Sequence, residues 1–296
     1  MTPPHTPISE EAGTRAERVL ILTHGAAEVT AGVMPTLLSI LDARGVEVAA
    51  TAEEAAKHPA LAERAIIEPT DLRPGGVDLV LVLGGDGSIL RALSREATTG
   101  APVLGVNYGR VGFLATIEQS DLERGLGRAL DGGYVTLGLP SLKAEWSDGT
   151  LQAVNDLAFL RGGESRLADL SYSVSGEPVA TVRCDGLICS TPVGSTAYNL
   201  AAGGPTVSWR VKCFVLSFIA AHHLDTRPLI LAADERLTVT NSAIVGDCDV
   251  LADGVRIAAL PPGRSITVGL GGEEVHLAIF PESSFFRRYR EKFGRP

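Results

Sequence analysis

A parallel α/β domain followed by an antiparallel β domain is the fold class that this 296-residue sequence predicts. Three observations carry it. From Arg18 to about Leu139, short Val- and Leu-rich runs alternate with segments of helical period, the pattern of βαβ units. After Pro140 the chain changes to alternating apolar and polar residues punctuated by Asp148-Gly149 and Asp253-Gly254, which are strong hairpin signals. Two helix-like stretches interrupt this second region, Ser195 to Ala202 and the tail Ser284-FFRRYREKF.

Along the chain, residues 1–17 lack a cationic stretch and an apolar stretch, and read as a flexible tail rather than a signal peptide. Val19-LILT is a strand. Val29, Val33, Leu37, Leu38 and Leu41 recur at helical spacing, with Gly45 just past the end where a left-handed cap belongs. Gly45-VEVAAT reads as the second strand, Glu53 to Ala65 as a helix, Asp78-LVLVL as the third strand, Ser88 to Glu96 as a helix and Pro102-VLGVN as the fourth strand. Ser120, with Glu123 three residues on, has the signature of a capping box for a helix ending near Gly132-Gly133. The boundary falls near Pro140, giving an α/β domain over 18–139 and a β domain over 140–280. In the latter, Leu142-KAEW, Leu151-QAVNDLAFL, Leu170-SYSV, Val179-ATVRC, Arg236-LTVTN, Val250-LADG-VRIAAL, Ser265-ITVGL and Val275-HLAIF read as strands. In 281–296, Phe285, Phe286, Tyr289 and Phe293 share one helix face, and this C-terminal helix is expected to pack back on the first domain. The Arg287-Arg288-Tyr-Arg290-Glu-Lys292 run reads as its solvated face.

Composition narrows function. Lys+Arg 26 against Asp+Glu 35 gives a net charge of −9, which repels phosphate backbones, and 2 Trp, 5 Tyr and 8 Phe leave few stacking platforms. Nucleic acid is therefore not an expected partner, and an anionic ligand has to meet local cations, metal ions or backbone N–H groups. Asp78-LVLVL and Phe214-VLSFIAA fall short of the roughly 18 residues of a membrane helix, so no membrane partner is expected. Cys184, Cys189, Cys213 and Cys248 show no CxxC pairing and read as reduced buried thiols, which fits a cytoplasmic address. The 33 glycines are the outlier, about 11% against an average near 7%.

Several of those glycines mark candidate sites. Gly84-Gly85-Asp86-Gly87-Ser88 lies where a strand gives way to a helix, at the carboxyl end of a parallel sheet, where glycines let backbone N–H groups approach phosphate oxygens. Asp86 is repelled by phosphate, so it serves to bind a ligand hydroxyl, to take a proton or to hold a cation, or else is only a turn former or helix cap. The third glycine of a dinucleotide fingerprint is missing, Leu90 standing in its place, and no G-x-x-x-x-G-K-[ST] occurs. A second segment, Asp185-GLICSTPVGSTAYNLAAGG-Pro205, offers small and hydroxylated residues to a flat polar ligand. In a third, Asn155-Asp156 places two polar side chains inside an apolar strand, which calls for a bulge or a ligand. His24 reads as a structural histidine, and His222-His223 as a poor metal site because adjacent strand residues point apart.

These three segments, together with Gly105-VNYGRVGFL, Thr226-RPLIL and Leu251-ADG, resemble the NAD kinase family over nearly the whole chain from about Arg18. GGDG alone is shared with diacylglycerol and sphingosine kinases and phosphofructokinases; DG-x4-TP-x-GSTAY-x4-GGP is far more specific. The resemblance implies a Rossmann-like first domain and transfer of the γ-phosphoryl of ATP, or of polyphosphate, to the adenosine 2′-hydroxyl of NAD. It implies Mg²⁺ or Mn²⁺ on the donor phosphates, and a homodimer or homotetramer. Asp86 matches the acid that takes the hydroxyl proton, and Gly84, Gly85 and Gly87 lie against phosphates, with Arg91 one turn further on. Asn155 and Asp156 match the pair that holds ribose and base, with Asp where Glu is more frequent. Asp185 matches the acid near the nicotinamide end, with Arg183 on the same strand face. Thr196, Ala197 and Tyr198, backed by Asn199, Leu200 and Ala201, match the helix start against base and sugar. Phe113 is expected as an apolar wall and Arg166 as a loop contact. Val193 replaces a hydroxylated residue. A lipid or sugar kinase sharing the loop, and a non-catalytic NAD(P)-binding module, stand as alternatives.

Overall fold

The structure, a computed structural model, describes residues 10–68, 75–96, 99–110, 112–147, 149–163, 166–223, 225–272 and 274–294. Residues 1–9 of the expected tail and Asp148 of the first expected hairpin lie outside the described residues. The chain forms two compact units, one running to Leu139 and resuming at Glu274, the other spanning Pro140–Glu273.

In chain order the first stretch contains β1 (Glu10–Ala12), β2 (Arg18–Thr23), α1 (Met34–Asp42), β3 (Glu47–Thr51), α2 (Ala52–Lys57), α3 (Pro59–Arg64), β4 (Ile66–Glu68), β5 (Leu79–Gly84), α4 (Asp86–Glu96), β6 (Val103–Asn107), β7 (Ile117–Glu118), α5 (Leu122–Leu130) and β8 (Val135–Leu139). The middle stretch adds β9 (Leu142–Trp146), β10 (Gly149–Ala153), β11 (Asp156–Arg161), β12 (Ala168–Val174), β13 (Glu177–Cys184), β14 (Gly186–Ser190), α6 (Tyr198–Ala201), β15 (Cys213–Ile219), β16 (Leu229–Ala232), β17 (Leu237–Asn241), β18 (Cys248–Ala252), β19 (Val255–Leu260) and β20 (Ser265–Leu270). The return stretch is β21 (Val275–Ile279) and α7 (Phe285–Phe293).

The first unit is built on a mixed sheet of order β1-β8-β21-β6-β5-β2-β3-β4, with β7 beside β6. The pairs from β4 to β6 are parallel, and β5 is buried at all six residues because helices cover both faces; that is why its sequence is a continuous apolar run. Gly45 takes φ +66 past α1, the left-handed cap expected of it. Two local expectations fail. The helix expected over Glu53 to Ala65 is two helices, because Pro59 disfavours helical backbone at His58, which takes φ −131 and ψ 98. The Ser120 capping box does not form: a 3₁₀ turn over Gln119–Asp121 precedes α5, and the Asp121 carboxylate accepts from Arg124 Nε at 2.8 Å instead. The strand Val275-HLAIF belongs to the first unit's sheet, antiparallel to β8 and parallel to β6, rather than to the β region in which its local pattern put it.

The second unit consists of two antiparallel sheets, β10-β9-β20-β17-β12-β13 and β16-β15-β14-β11-β18-β19. Alternate residues of both, among them Phe159, Phe214, Leu170 and Val268, meet in one core. The four cysteines are free and buried, and burial pushes the Cys184 thiol up to about 12 and that of Cys248 to about 11, so both stay protonated. Asp253 and Gly254 both have positive φ, +48 and +80, as a type I′ turn requires, and close the β18–β19 hairpin. The stretch Leu151-QAVNDLAFL is not one strand. It ends one sheet at Ala153 and enters the other at Asp156, with Val154 and Asn155 at the crossing. Among the described residues no helix is long and apolar enough to cross a membrane.

Candidate functional site

In the first unit the strand β5 ends at Gly84, and the Gly85 carbonyl accepts from Ser88 and Ile89 N–H to start α4. Asp86 is the first residue of that helix. Its carboxylate turns back to a neighbouring loop, where Oδ2 accepts from Phe113 N–H at 2.7 Å and Oδ1 from Leu114 N–H at 3.0 Å. Gly112 makes this possible, since a Cβ there would stand closer than 3.0 Å to all three carboxyl atoms. Gly87 is exposed, and a Cβ there would meet nothing within 4 Å, so the first turn of α4 keeps an open approach to its N–H groups. The loop from β6 is fixed by Asn107, whose Oδ1 accepts from Gly109 N–H at 3.0 Å while its Nδ2 donates to Glu118.

Arg91 is exposed, its Nη2 3.5 Å from Ser88 Oγ, and with Lys57 and Arg95 it lines a cleft of about 220 Å³. Phe113 differs from expectation. Its side chain is 2% exposed, its ring 5.9 Å from that of Phe285 and 5.7 Å from that of Phe293, so the ring serves the packing of α7 and the backbone serves Asp86. His24 Nδ1 accepts from Ala26 N–H, a structural bond.

The second unit brings a different set together. Asp253 accepts from three successive backbone N–H groups, Val154 at 2.9 Å, Asn155 at 2.7 Å and Asp156 at 3.2 Å, and so shapes the crossing between the sheets. Asn155 Oδ1 is buried with no hydrogen-bond partner among the described residues, an acceptor waiting for a donor. Asp156 is 4% exposed; burial, and then the Asp253 charge, push its carboxyl up to about 7. The carbonyls of Asn155 and Val154 accept from Thr191 N–H and Thr191 Oγ1, which ties this crossing to the Gly194–Thr196 turn.

Around that turn Thr196 and Ala197 are half-buried, Tyr198 and Ala201 exposed and Leu200 half-buried. Asn199 departs from expectation: at 0% exposed, its Nδ2 donates to Ser195 O and Pro205 O, both at 3.0 Å, and its Oδ1 accepts from Ser217 Oγ at 2.6 Å. Its side chain is consumed by holding the turn. Arg183 likewise makes a two-pronged pair with Asp169 across the β12–β13 ladder, at 2.8 and 3.1 Å, rather than presenting a lone cation. Asp185 is half-buried, 3.4 Å from Arg161 Nε, and Arg166 is exposed in the loop before β12. Among the described residues no group of three or more His, Cys, Asp or Glu side chains is placed to hold a metal ion, His222 and His223 included.

Gly112, Leu114 and Asp253 are the residues that sequence reasoning passed over. The GFL that follows the fourth strand and the Asp-Gly pair after β18 were the available signals, but each spells only a turn until its partner is known.

The models of the ATP-NAD kinase N-terminal and C-terminal domains match residues 9–134 and 154–279. An NAD kinase of Symbiobacterium thermophilum is 37% identical over 246 residues, 80% of this chain and 87% of that protein. NAD kinase 2 of Streptomyces coelicolor is 33% identical over 288 residues, 95% of this chain and 96% of that protein. Among solved structures, a yeast NADH kinase complexed with NADH shares the fold, with a TM-score of 0.81 at 24% identity over 95% of this chain and 88% of that one. An NAD kinase from Archaeoglobus fulgidus in complex with ATP gives 0.72 at 25% identity, over 94% and 97%. With both domain models matched in order and relatives above 30% identity over most of its length, this chain belongs to the NAD kinase family.

Proposed function

We propose that this chain transfers the γ-phosphoryl group of ATP to the adenosine 2′-hydroxyl of NAD, with Asp86 as general base. The observation that carries the reading is the double anchoring of the Asp86 carboxylate at the start of α4. Each carboxylate oxygen has two lone-pair positions; Phe113 and Leu114 N–H take one on each, which fixes the group and leaves a second for a hydroxyl hydrogen. As the 2′-oxygen forms its bond to the γ-phosphorus, its proton passes to Asp86 and ADP leaves with the electrons of the broken phosphorus–oxygen bond. Such a reaction asks mainly for alignment and charge neutralisation. The open N-terminal turn at Gly87 and the cations Arg91 and Arg95 suit donor phosphates, whereas Lys57 in the same cleft is ion-paired with Glu53 and Glu54. A divalent metal such as Mg²⁺, carried on those phosphates, would supply the remaining neutralisation.

Asn155, Asp156, Asp185, Thr196, Ala197 and Tyr198 recognise the dinucleotide in this reading. The unpartnered Asn155 Oδ1 supports it, because a buried acceptor is satisfied by a ribose hydroxyl or an adenine amino group. Incubation with NAD, ATP and Mg²⁺ is expected to yield NADP, and Asp86→Asn is expected to lower kcat by roughly 10²- to 10⁴-fold. No NADP above blank, with diacylglycerol phosphorylated instead, would overturn the acceptor; full kcat in Asp86→Asn would overturn the base. Polyphosphate tested beside ATP decides the donor.

A further inference from the structure

Arg288 is unlike the other cations of the C-terminal helix. It is 5% exposed, against the solvated position its sequence neighbourhood predicts, and its Nη1 donates to the carbonyls of Phe113, at 2.7 Å, and of Ala115. Burial lowers its pKa to about 10, with the Asp86 charge acting in the opposite direction, so the guanidinium remains charged near neutral pH. The carbonyl of Phe113 and the N–H of Leu114 belong to one rigid peptide plane. One end of that plane accepts from Arg288 and the other donates to Asp86 Oδ1. The helix grips the same segment again through the Phe113 ring, against Phe285 and Phe293, with Lys292 Nζ 4.9 Å from its centroid. A charged donor on the carbonyl also polarises the peptide, which makes its N–H a stronger donor to the carboxylate.

We propose that Arg288 is a positioning residue for the phosphoryl transfer: it sets the Phe113–Leu114 peptide plane that orients the Asp86 carboxylate. The inference rests on the reading of Asp86 as the base. Arg288 touches no reacting atom; it acts through a peptide whose other face holds the base, so its loss loosens the carboxylate without altering the groups that bind the dinucleotide.

The test uses the full chain and four variants, Arg288→Lys, Arg288→Met, Asp86→Asn and the Arg288→Met/Asp86→Asn double variant. Lysine keeps the charge, but its nitrogen ends one bond short of the Nη1 that donates to both carbonyls and lacks the planar group that fixes its direction, so Arg288→Lys is expected to lose roughly ten-fold in kcat and Arg288→Met roughly a hundred-fold. KM for NAD and for ATP is expected to stay within about two-fold. In the Asp86→Asn background Arg288→Met is expected to lower the residual rate no further, because the group it orients is already disabled. If Arg288→Met does not fold, Arg288→Lys decides alone. Full kcat in Arg288→Lys, a loss carried by KM, or an added loss in the double variant each overturns the positioning role. Full kcat in Asp86→Asn instead removes the base on which the proposal rests, so the two failures are told apart.

Discussion

Replacing Gly112 by alanine tests the proposed role of Asp86 while leaving the Asp86 side chain itself chemically intact. The backbone there lies outside the left-handed region, so alanine fits the local conformation, but its Cβ would overlap the Asp86 carboxylate. Relieving the overlap requires a displacement of about 1 Å, which removes the carboxylate from the Phe113 and Leu114 N–H groups. A misplacement of that size in a reacting group costs on the order of 10²-fold in rate, or about 2.7 kcal/mol at the transition state. The ceiling is the whole contribution of a general base, roughly 10⁴-fold. Initial rates of NADP formation with NAD and ATP varied independently are expected to show the loss in kcat, with KM for NAD within about two-fold. Because the carboxylate is the end of a side chain, the fold absorbs the shift, and Tm is expected to fall by no more than a few degrees, about 1 kcal/mol in a chain of this size. A Gly112→Ala enzyme with kcat within about three-fold of the parent would refute the claim that Asp86 works from this anchored position.

Gly87→Ala makes the complementary case. Its Cβ meets nothing in the protein and replaces glycine in the first turn of a helix, so stability to urea is expected to rise by about 0.5 kcal/mol. Activity is expected to fall at the same time, through KM for ATP, if phosphate occupies the open approach; unchanged KM for ATP would count against it. Burial, and then the Asp253 charge, raise the folded-state pKa of Asp156 from the ordinary aspartate range, about 4, to about 7. The folded chain therefore holds the proton more tightly than the unfolded one. That contribution to stability is present in full below about pH 4 and is lost as pH rises to about 7, with a slope of up to about 1.4 kcal/mol per pH unit. Urea unfolding of the parent and of Asp156→Asn at pH 5, 6, 7 and 8 is expected to show a pH-dependent difference that flattens above pH 7; a pH-independent difference would contradict the raised pKa. KM for NAD is expected to rise as pH falls below about 7 in the parent only, since a protonated Asp156 accepts fewer hydroxyl hydrogen bonds.

What could be read from the sequence was what depends on short-range pattern. The parallel strands announce themselves because burial on both faces forbids polar residues, and Asp253-Gly254 because two positive φ values demand that kind of dipeptide. Gly45 was legible for the same reason. Pairing at long range was not. Val275–Ile279 has the alternation of any half-buried strand, and nothing local says that its partners are β8 and β6. The Asp86 anchor spans 27 residues to Phe113, and Arg288 reaches the same residue across 175, distances over which hydrophobic period carries no information. The family resemblance places Phe113 and Asn199 by the ligand because motif position does not say what a side chain packs against; the fold spends one on ring packing and the other on three hydrogen bonds.

The place of β21 has a consequence for how the chain is made. Lying between β8 and β6, it joins two parts of the sheet that have no other direct pairing with each other in the strand order. Everything up to Leu139 leaves the ribosome well before this strand, so the nascent first unit lacks the partner of β8 and of the Val103 end of β6 while the entire second unit is synthesised. Helix α7 and its Arg288 arrive later still, so the Phe113 carbonyl gains this donor only after the second unit has been made. A stop codon just before Val275 thus removes an interior strand of the first unit's sheet and, with α7, the side chain that holds the Phe113 carbonyl.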